Sequence, residues 1–195
     1  MSDKYNTTIA RAVRTILEEL GYDPEDQHMV KTPMRVAKVM ELFHANGYLD
    51  FAADDLLQAV FDDEHNSLVL VGPITVTSMC AHHMLPVTGY AWVGYIPNEK
   101  VVGLSKLARI VKHYAQRFTI QERVTQNVVD ALMRNLEPLG AMCVIDATHG
   151  CMTIRGVKEA HATTITSAVR GVFQDDPIAR QEFLTLMSQT RKGNL

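Results

Sequence analysis

The sequence feature that most constrains this chain is a period-two run that ends in residues able to bind a metal. Side chains from Ile74 to Cys80 alternate between two faces, and this alternation predicts a β-strand. The run ends in Cys80-Ala81-His82-His83. Cys80 and His83 have the Cys-x-x-His spacing by which one turn brings a thiolate and an imidazole to a single transition-metal ion. The competing interpretation is a buried cysteine beside two surface histidines.

The pattern before this run is helical. Apolar residues over 9–20 recur at helical spacing, and Gly21 predicts the end of this first helix. Thr32-Pro33 predicts the start of a second helix, which we expect to end at Gly47. Residues 50–66 are acidic, and we expect a solvated connector there rather than a metal site.

The rest of the chain predicts the order ββααββ followed by one helix. The elements after the first strand are a strand over 87–96, helices over 104–118 and 121–136, strands over 140–155 and 163–167, and a helix beginning at Asp176-Pro177. This order favours an α+β fold in which an antiparallel sheet carries helices on one face. We expect an N-terminal helical hairpin with its connector over 1–66 and the ββααββ domain with its C-terminal helix over 67–195. These two parts are expected to fold as one cooperative unit.

The composition limits the partners that the chain can have. Hydrophobic residues make up 47% of the chain and charged residues 21%, as in an ordinary soluble globular protein. The formal net charge of −3 gives no overall attraction to nucleic acid. We see no apolar run long enough to span a membrane and no signal peptide. The odd number of cysteines, three, favours a reducing compartment, so we expect a cytoplasmic protein.

A second group of reactive side chains lies in the third predicted strand. Alternation places His149, Cys151 and Arg155 on one face, and such residues are poor core material. Cys151 is therefore a candidate third ligand for an ion at the first motif. Cys143 lies roughly 26 Å away along an extended strand and is predicted to be a core residue.

A Cys-His-Cys ligand set would give a tetrahedral zinc three protein ligands and one open position, which is the pattern of catalytic sites. Zinc with an open position lowers the pKa of water to about 7 and so supplies a nucleophile. His82 and His149 would lie beside the ion without binding it and are suited to proton transfer near neutral pH. A closed structural zinc with a fourth ligand, or no metal, remains an alternative.

The first helix of the ββααββ unit begins like a phosphate-binding helix. Ser105, Lys106 and Arg109 follow a glycine, where free backbone N–H groups and cations attract an anion. Arg35 and Arg155 could add to this cluster. The alternative is a solvated basic face on an amphipathic helix.

The next helix begins with Gln121 and Glu122. An amide and a carboxylate at this place could recognise the edge of a purine. Their alternative role is to stabilise the helix, because polar and negative groups interact favourably with the positive end of its dipole.

Together these motifs resemble the GTP cyclohydrolase I family from about Thr32 to the C-terminal helix. The matching segments are Thr32-Pro33-Met34-Arg35-Val36-Ala37-Lys38, Cys80-Ala81-His82-His83, Gly103-Leu104-Ser105-Lys106-Leu107-Ala108-Arg109, Gln116-Arg117, Gln121-Glu122-Arg123, His149-Gly150-Cys151-Met152 and Arg155-Gly156. The resemblance implies the tunnelling fold, in which ββααββ units assemble side by side around a pore. It also implies a toroidal homodecamer of two stacked pentamers with active sites at subunit interfaces.

The resemblance further implies a reaction on GTP. In the family, water activated by Zn²⁺ attacks C8, which leaves as formate, and rearrangement gives 7,8-dihydroneopterin triphosphate. The implied zinc ligands are Cys80, His83 and Cys151. His82 would protonate the purine at N7, and His149 with Ser105 would act on the ribose.

The substrate contacts also follow from the resemblance. Glu122 and Gln121 would hold the guanine edge, where a carboxylate accepts from N–H donors that adenine lacks. The implied triphosphate contacts are Lys106, Arg109, Arg155 and Arg35. Two positions depart from the family: Ala81 replaces the usual glutamate, and His161 replaces the commoner serine. Loss of a carboxylate that orients a metal ligand can cost about 10- to 100-fold in affinity or activity.

A zinc-dependent GTP cyclohydrolase I is therefore the leading hypothesis, and two others stay open. Ala81 keeps open a catalytically weak homologue that binds GTP or zinc. Another tunnelling-fold enzyme is the second alternative, but a pterin synthase should have three histidine ligands. A nitrile reductase should combine a nucleophilic cysteine with a nicotinamide site.

Overall fold

The computed structural model describes residues 3–48 and 53–192. In these ranges the helices are α1 (Asp3–Glu19), α2 (Thr32–Tyr48), α3 (Ala53–Leu56), α4 (Leu104–Ala115), α5 (Gln121–Leu136), α6 (Gly150–Thr153), α7 (Val172–Asp175) and α8 (Pro177–Lys192). The strands are β1 (Val60–Asp62), β2 (Val69–Cys80), β3 (Pro86–Ile96), β4 (Lys100–Val102), β5 (Phe118–Thr119), β6 (Gly140–His149) and β7 (Thr164–Gly171). Within the described residues, no helix has the length and hydropathy needed to cross a membrane.

The predicted N-terminal helical hairpin is confirmed. Gly21 has a φ of +81° and ends α1, with its N–H and that of Tyr22 bonded to the carbonyls of Glu18 and Leu17, an arrangement that satisfies free carbonyls at a helix end. Helix α2 begins at Thr32 as expected and extends one residue past Gly47. Helix α1 packs on α2, and α2 contacts α4.

The acidic connector is not the solvated linker that its charge predicts. Leu57 is only 1% exposed, and β1 pairs with β4 in the register Val60↔Val102. The Asp54 carboxylate accepts a hydrogen bond of 2.8 Å from Asn135. The connector is thus anchored on α5 and β4. The packing of Leu56 and Leu57 and the pairing of β1 stabilise this contact more than the charge of the segment favours solvation. Residues 50–52 of the predicted span lie outside the described residues.

The main sheet has the strand order β5-β2-β3-β6-β7. Its four long strands pair antiparallel, and the two-residue strand β5 adds parallel to the end of β2. The predicted ββααββ order is therefore confirmed. Helices α4 and α5 cover one face, where a core forms from both helices and the inward residues of β2, β3, β6 and β7.

The other face of the sheet is covered in part by the C-terminal helix. Trp92, Met142 and Val144 from this face pack with Phe183 of α8 in a second cluster. The Trp92 indole N–H donates a hydrogen bond of 2.9 Å to Thr190 at the far end of α8. Helix α8 is thereby fixed on the sheet along most of its length.

Three predicted boundaries differ from the structure. The strand expected over 140–155 ends at residue 149, and a single helical turn, α6, follows. Helix α4 ends at residue 115 because residues 118–119 leave the helix to pair with β2 as strand β5. The last strand starts at 164 and continues to 171, four residues beyond its predicted end.

Candidate metal centre and active site

The end of β2 forms half of a candidate metal centre. A tight turn follows the strand, closed by a bond from the Met84 N–H to the Cys80 carbonyl and by another from the Cys80 N–H to Leu85. The turn places Cys80 Sγ 3.7 Å from His83 Nδ1. A tetrahedral zinc with bonds of about 2.3 Å to sulfur and about 2.0 Å to nitrogen holds two such ligand atoms about 3.6 Å apart. The local turn therefore presets two ligand atoms for one ion.

The third donor comes from the turn after β6. Strand β3 pairs with β6 so that Val87 lies opposite His149, and the helical turn α6 then directs Cys151 toward the end of β2. Ligand atoms of Cys80, His83 and Cys151 lie within 4.8 Å of one another. The sequence pattern predicts this residue, but the helical turn, not strand alternation, brings it into place.

The donor set fits a transition metal. Two sulfurs and one imidazole nitrogen are the ligands that zinc and other borderline-soft ions prefer. Burial raises the pKa of the Cys151 thiol, and the neighbouring Cys80 thiol adds to the increase. Metal binding requires both groups as thiolates, and a shared cation would offset the repulsion between their two negative charges.

The two remaining predicted histidines flank this centre in different ways. His82 is exposed, and its ring lies 6.2 Å from the His83 ring, nearly perpendicular to it. His149 is half-buried, and its Nε2 lies 2.8 Å from Gln121 Oε1. Burial lowers the pKa of His149, an effect that the charge of Glu122 opposes. The neutral ring is therefore favoured at His149.

Gln121 is buried, whereas its neighbour Glu122 is exposed. The Gln121 amide nitrogen lies 3.0 Å from the carbonyl of Ile145, 2.8 Å from that of Thr164 and 3.1 Å from Thr166 Oγ1. Both polar atoms of the Gln121 side chain therefore have partners within the chain. Glu122 is thus the accessible carboxylate at the start of α5.

The basic residues fall into two groups. Arg155 lies at the metal centre, where its Nη1 is 2.7 Å from His83 Nε2. Ser105, Lys106 and Arg109 lie together at the start of α4, and their side chains form no hydrogen bond or ion pair with other described residues. Arg35 is exposed on α2. The structure therefore unites Arg155, but not the α4 cluster, with the three metal donors.

The sequence reasoning missed the hydroxyl groups that support Gln121. Thr125 Oγ1 lies 2.7 Å from Thr166 Oγ1 and donates to the Gln121 carbonyl at 2.9 Å. A polar pair four residues apart at the start of an amphipathic helix was the available signal, together with the alternating threonines of β7. Their meaning depends on the packing of α5 against the sheet, which spacing does not reveal.

The fold and this group of donors define a class: a tunnelling-fold protein whose Cys80, His83 and Cys151 could hold a metal ion. A family model described as GTP cyclohydrolase I matches residues 9–188. The chain belongs to the GTP cyclohydrolase I family.

Curated relatives cover nearly the whole chain. A protein of Rattus norvegicus named GTP cyclohydrolase 1 is 46% identical over 92% of this chain and 74% of its own length. One of Gloeobacter violaceus is 49% identical over 90% of this chain and 82% of its own. One of Campylobacter jejuni is 44% identical over 92% of this chain and 94% of its own. Both of these carry the same name.

Proposed function

We propose that this protein is a zinc-dependent GTP cyclohydrolase I, which hydrolyses GTP at C8, releases formate and forms 7,8-dihydroneopterin triphosphate. The observation that carries the proposal is the meeting of Cys80, His83 and Cys151 within 4.8 Å, with His149 two residues from one of these ligands. Family membership over residues 9–188 supports the choice of substrate.

Cys80, His83 and Cys151 would hold the zinc. When bound, zinc with three protein ligands acts as a Lewis acid that makes water nucleophilic near neutral pH. His82 is exposed beside the ligand His83 and would donate a proton to N7 of the purine, which makes C8 electrophilic. His149, with Ser105, would transfer protons at the ribose during ring opening and rearrangement.

The substrate would be held by the exposed polar groups. Glu122 would accept hydrogen bonds from the guanine edge, and adenine lacks these donors. The proposed triphosphate contacts are Lys106, Arg109, Arg155 and Arg35. The sequence also suggests Gln121 for the guanine edge, but its amide already binds Ile145, Thr164 and His149, so we assign the reading of the base to Glu122.

Active sites at subunit interfaces would unite these groups. The α4 cluster has unengaged side chains, and no bond among described residues links it to the metal donors. A neighbouring subunit placed beside the sheet could supply one set while this chain supplies the other. This arrangement supports the proposed toroidal decamer of two pentamers. We also propose that the protein is cytoplasmic.

The test is to incubate the zinc-loaded protein with GTP and to measure formate and the fluorescence of oxidised neopterin. We expect both products in equal amounts, and none from ATP, because adenine lacks the donors that Glu122 would bind. Full zinc occupancy with GTP binding but no formate would contradict the enzymatic proposal.

That outcome would favour the second candidate, a catalytically weak homologue that binds GTP and zinc. The observation behind it is Ala81, which is exposed beside the metal donors and carries no carboxylate. Ala81→Glu should then increase turnover by about 10-fold or more if the missing carboxylate limits catalysis.

A further inference from the structure

The orientation of the buried Gln121 amide is fixed by its surroundings. Its nitrogen faces the carbonyl oxygens of Ile145 and Thr164, at 3.0 and 2.8 Å. Carbonyls only accept hydrogen bonds, so the NH₂ group must lie on this side and the oxygen on the other. The Oε1 atom therefore faces His149 Nε2 at 2.8 Å.

This orientation fixes the proton on the histidine ring. An amide oxygen only accepts, so the hydrogen must be on Nε2 of His149. A neutral imidazole carries one N–H, and its lone pair must then be on Nδ1. The described residues place no hydrogen-bond partner on Nδ1, which leaves this atom to meet a substrate.

The support behind Gln121 is rigid. The side chain is 6% exposed, and its nitrogen lies 3.1 Å from Thr166 Oγ1. Thr125 joins the Thr166 hydroxyl to the Gln121 carbonyl. The network thus connects the start of α5 with β6 and β7, and rotating the amide would leave buried polar groups unpaired, at about 1–3 kcal/mol for each.

We propose that Gln121 is a positioning residue that fixes the orientation and the Nε2–H tautomer of the His149 ring, and that it does not bind the purine. The inference rests on the proposed function. The bond from Nε2–H to Gln121 Oε1 holds the ring in one orientation, and the Nδ1 lone pair is left for a contact with the ribose.

The kinetic test uses Gln121→Met, which keeps the length of the side chain and removes its amide. General acid–base catalysis contributes about 10²- to 10⁴-fold, so misplacing His149 should lower kcat by about 10- to 100-fold with KM for GTP changed less than about 3-fold. Gln181→Met is the matched control, since it makes the same substitution at an exposed glutamine of α8, away from His149. Its kcat should stay within about 3-fold of the unaltered protein.

A double variant separates positioning from general damage. In a His149→Ala background, Gln121→Met should cause no further loss of kcat, because its effect passes through the missing ring. An equal loss in both backgrounds would overturn the proposal. So would a GTP affinity lowered about 10-fold with kcat unchanged, since that result would show contact with the base.

A spectroscopic test needs neither turnover nor a folded variant of Gln121. Solid-state ¹⁵N NMR of histidine-labelled protein, at alkaline pH where the ring is neutral, should show a proton on Nε2 of His149 and none on Nδ1. His149→Gln identifies the resonance. A proton on Nδ1 would overturn the proposal even if GTP is the substrate. The expected signal without GTP turnover would leave the positioning intact and reject the proposed reaction.

Discussion

The three cysteines of this sequence lie in two different environments. Cys143 is fully buried in the sheet core, and desolvation raises the pKa of its thiol strongly. Cys80 and Cys151 instead lie together with His83. Thiol pairs that share a cation become thiolates, whereas a thiol enclosed by apolar side chains stays neutral. The residue type is the same, and the neighbours decide its chemistry.

We expect Cys151→Ala to lose its zinc, because two remaining ligands do not make a stable tetrahedral site. Metal content after dialysis, measured by mass spectrometry, checks this. Cys143→Ala is the matched control and should keep about one zinc per chain, as should His82→Ala, which instead should lose ring opening. Retention of zinc by Cys151→Ala would show that the ligand assignment is wrong.

A second prediction concerns His113 on α4. Burial lowers the pKa of this histidine, and the nearby charge of Arg117 lowers it further. The unfolded chain therefore binds a proton at a higher pH than the folded chain does. The free energy of unfolding should fall as the pH drops from about 6.5 through the lower folded pKa.

His113→Gln tests this contribution, because glutamine takes up no proton. Urea unfolding from about pH 8 to about pH 5.5 should show a smaller loss of stability in the variant. The remaining titratable groups are the same in both proteins, so the difference between the two curves isolates His113. Parallel curves would contradict the prediction.

At the scale of elements, helix α8 is stabilised by one aromatic contact on the second face of the sheet. Phe183 is fully buried, and its ring meets that of Phe173 edge to face at 6.1 Å. Trp92, the single tryptophan of the sequence, lies in the same cluster and bonds to α8. Its fluorescence therefore reports whether α8 is in place.

Phe183→Ala should lower the free energy of unfolding by about 3–5 kcal/mol, because it removes a large buried ring. Tryptophan emission should move to longer wavelength as α8 loosens and water reaches the indole. Leu184→Ala, at a neighbouring position that is 38% exposed, is the control and should leave the emission unchanged. An unchanged spectrum in Phe183→Ala would mean that α8 does not depend on this contact.

The elements also show how far the sequence predicts the structure. Apolar periodicity is sufficient to predict α5 and the individual long strands, because both depend on local spacing. It fails at residues 150–153, where alternating side chains continue but the backbone turns into a helix. It fails again at the end of α4, where pairing of residues 118–119 with β2 decides the boundary. Tertiary contacts determine the backbone conformation at both places.

In the candidate site, too, local spacing predicts some features and tertiary contacts determine the others. The spacing of Cys80 and His83 predicts a shared ion because one turn contains both residues. The role of Gln121 is not predictable from spacing, because its partners, Ile145 and Thr164, come from strands β6 and β7. Motifs thus identify reactive groups well and identify their supports poorly.

At the scale of the whole molecule, the N-terminal part is joined to the sheet domain at several points. Asp54 binds Asn135, β1 pairs with β4, and α2 contacts α4. We therefore expect residues 1–66 and 67–195 to unfold together, in one cooperative transition.

Chemical unfolding followed by two signals tests this expectation. Tryptophan fluorescence reports the sheet and α8, whereas circular dichroism at 222 nm includes α1 and α2. The two curves should coincide. An early loss of helical signal at constant fluorescence would instead show that the hairpin unfolds independently.

The register between β3 and β6 has a consequence for how the chain matures. Cys80 and His83 meet within one turn, but Cys151 joins them only when Val87 lies opposite His149. A slip of one residue reverses the faces of a strand and would carry the third ligand away. With the proposed zinc site, metal retention would therefore serve as a quality check on folding: mispaired molecules would release the ion, and zinc occupancy would count the molecules whose sheet is correctly assembled.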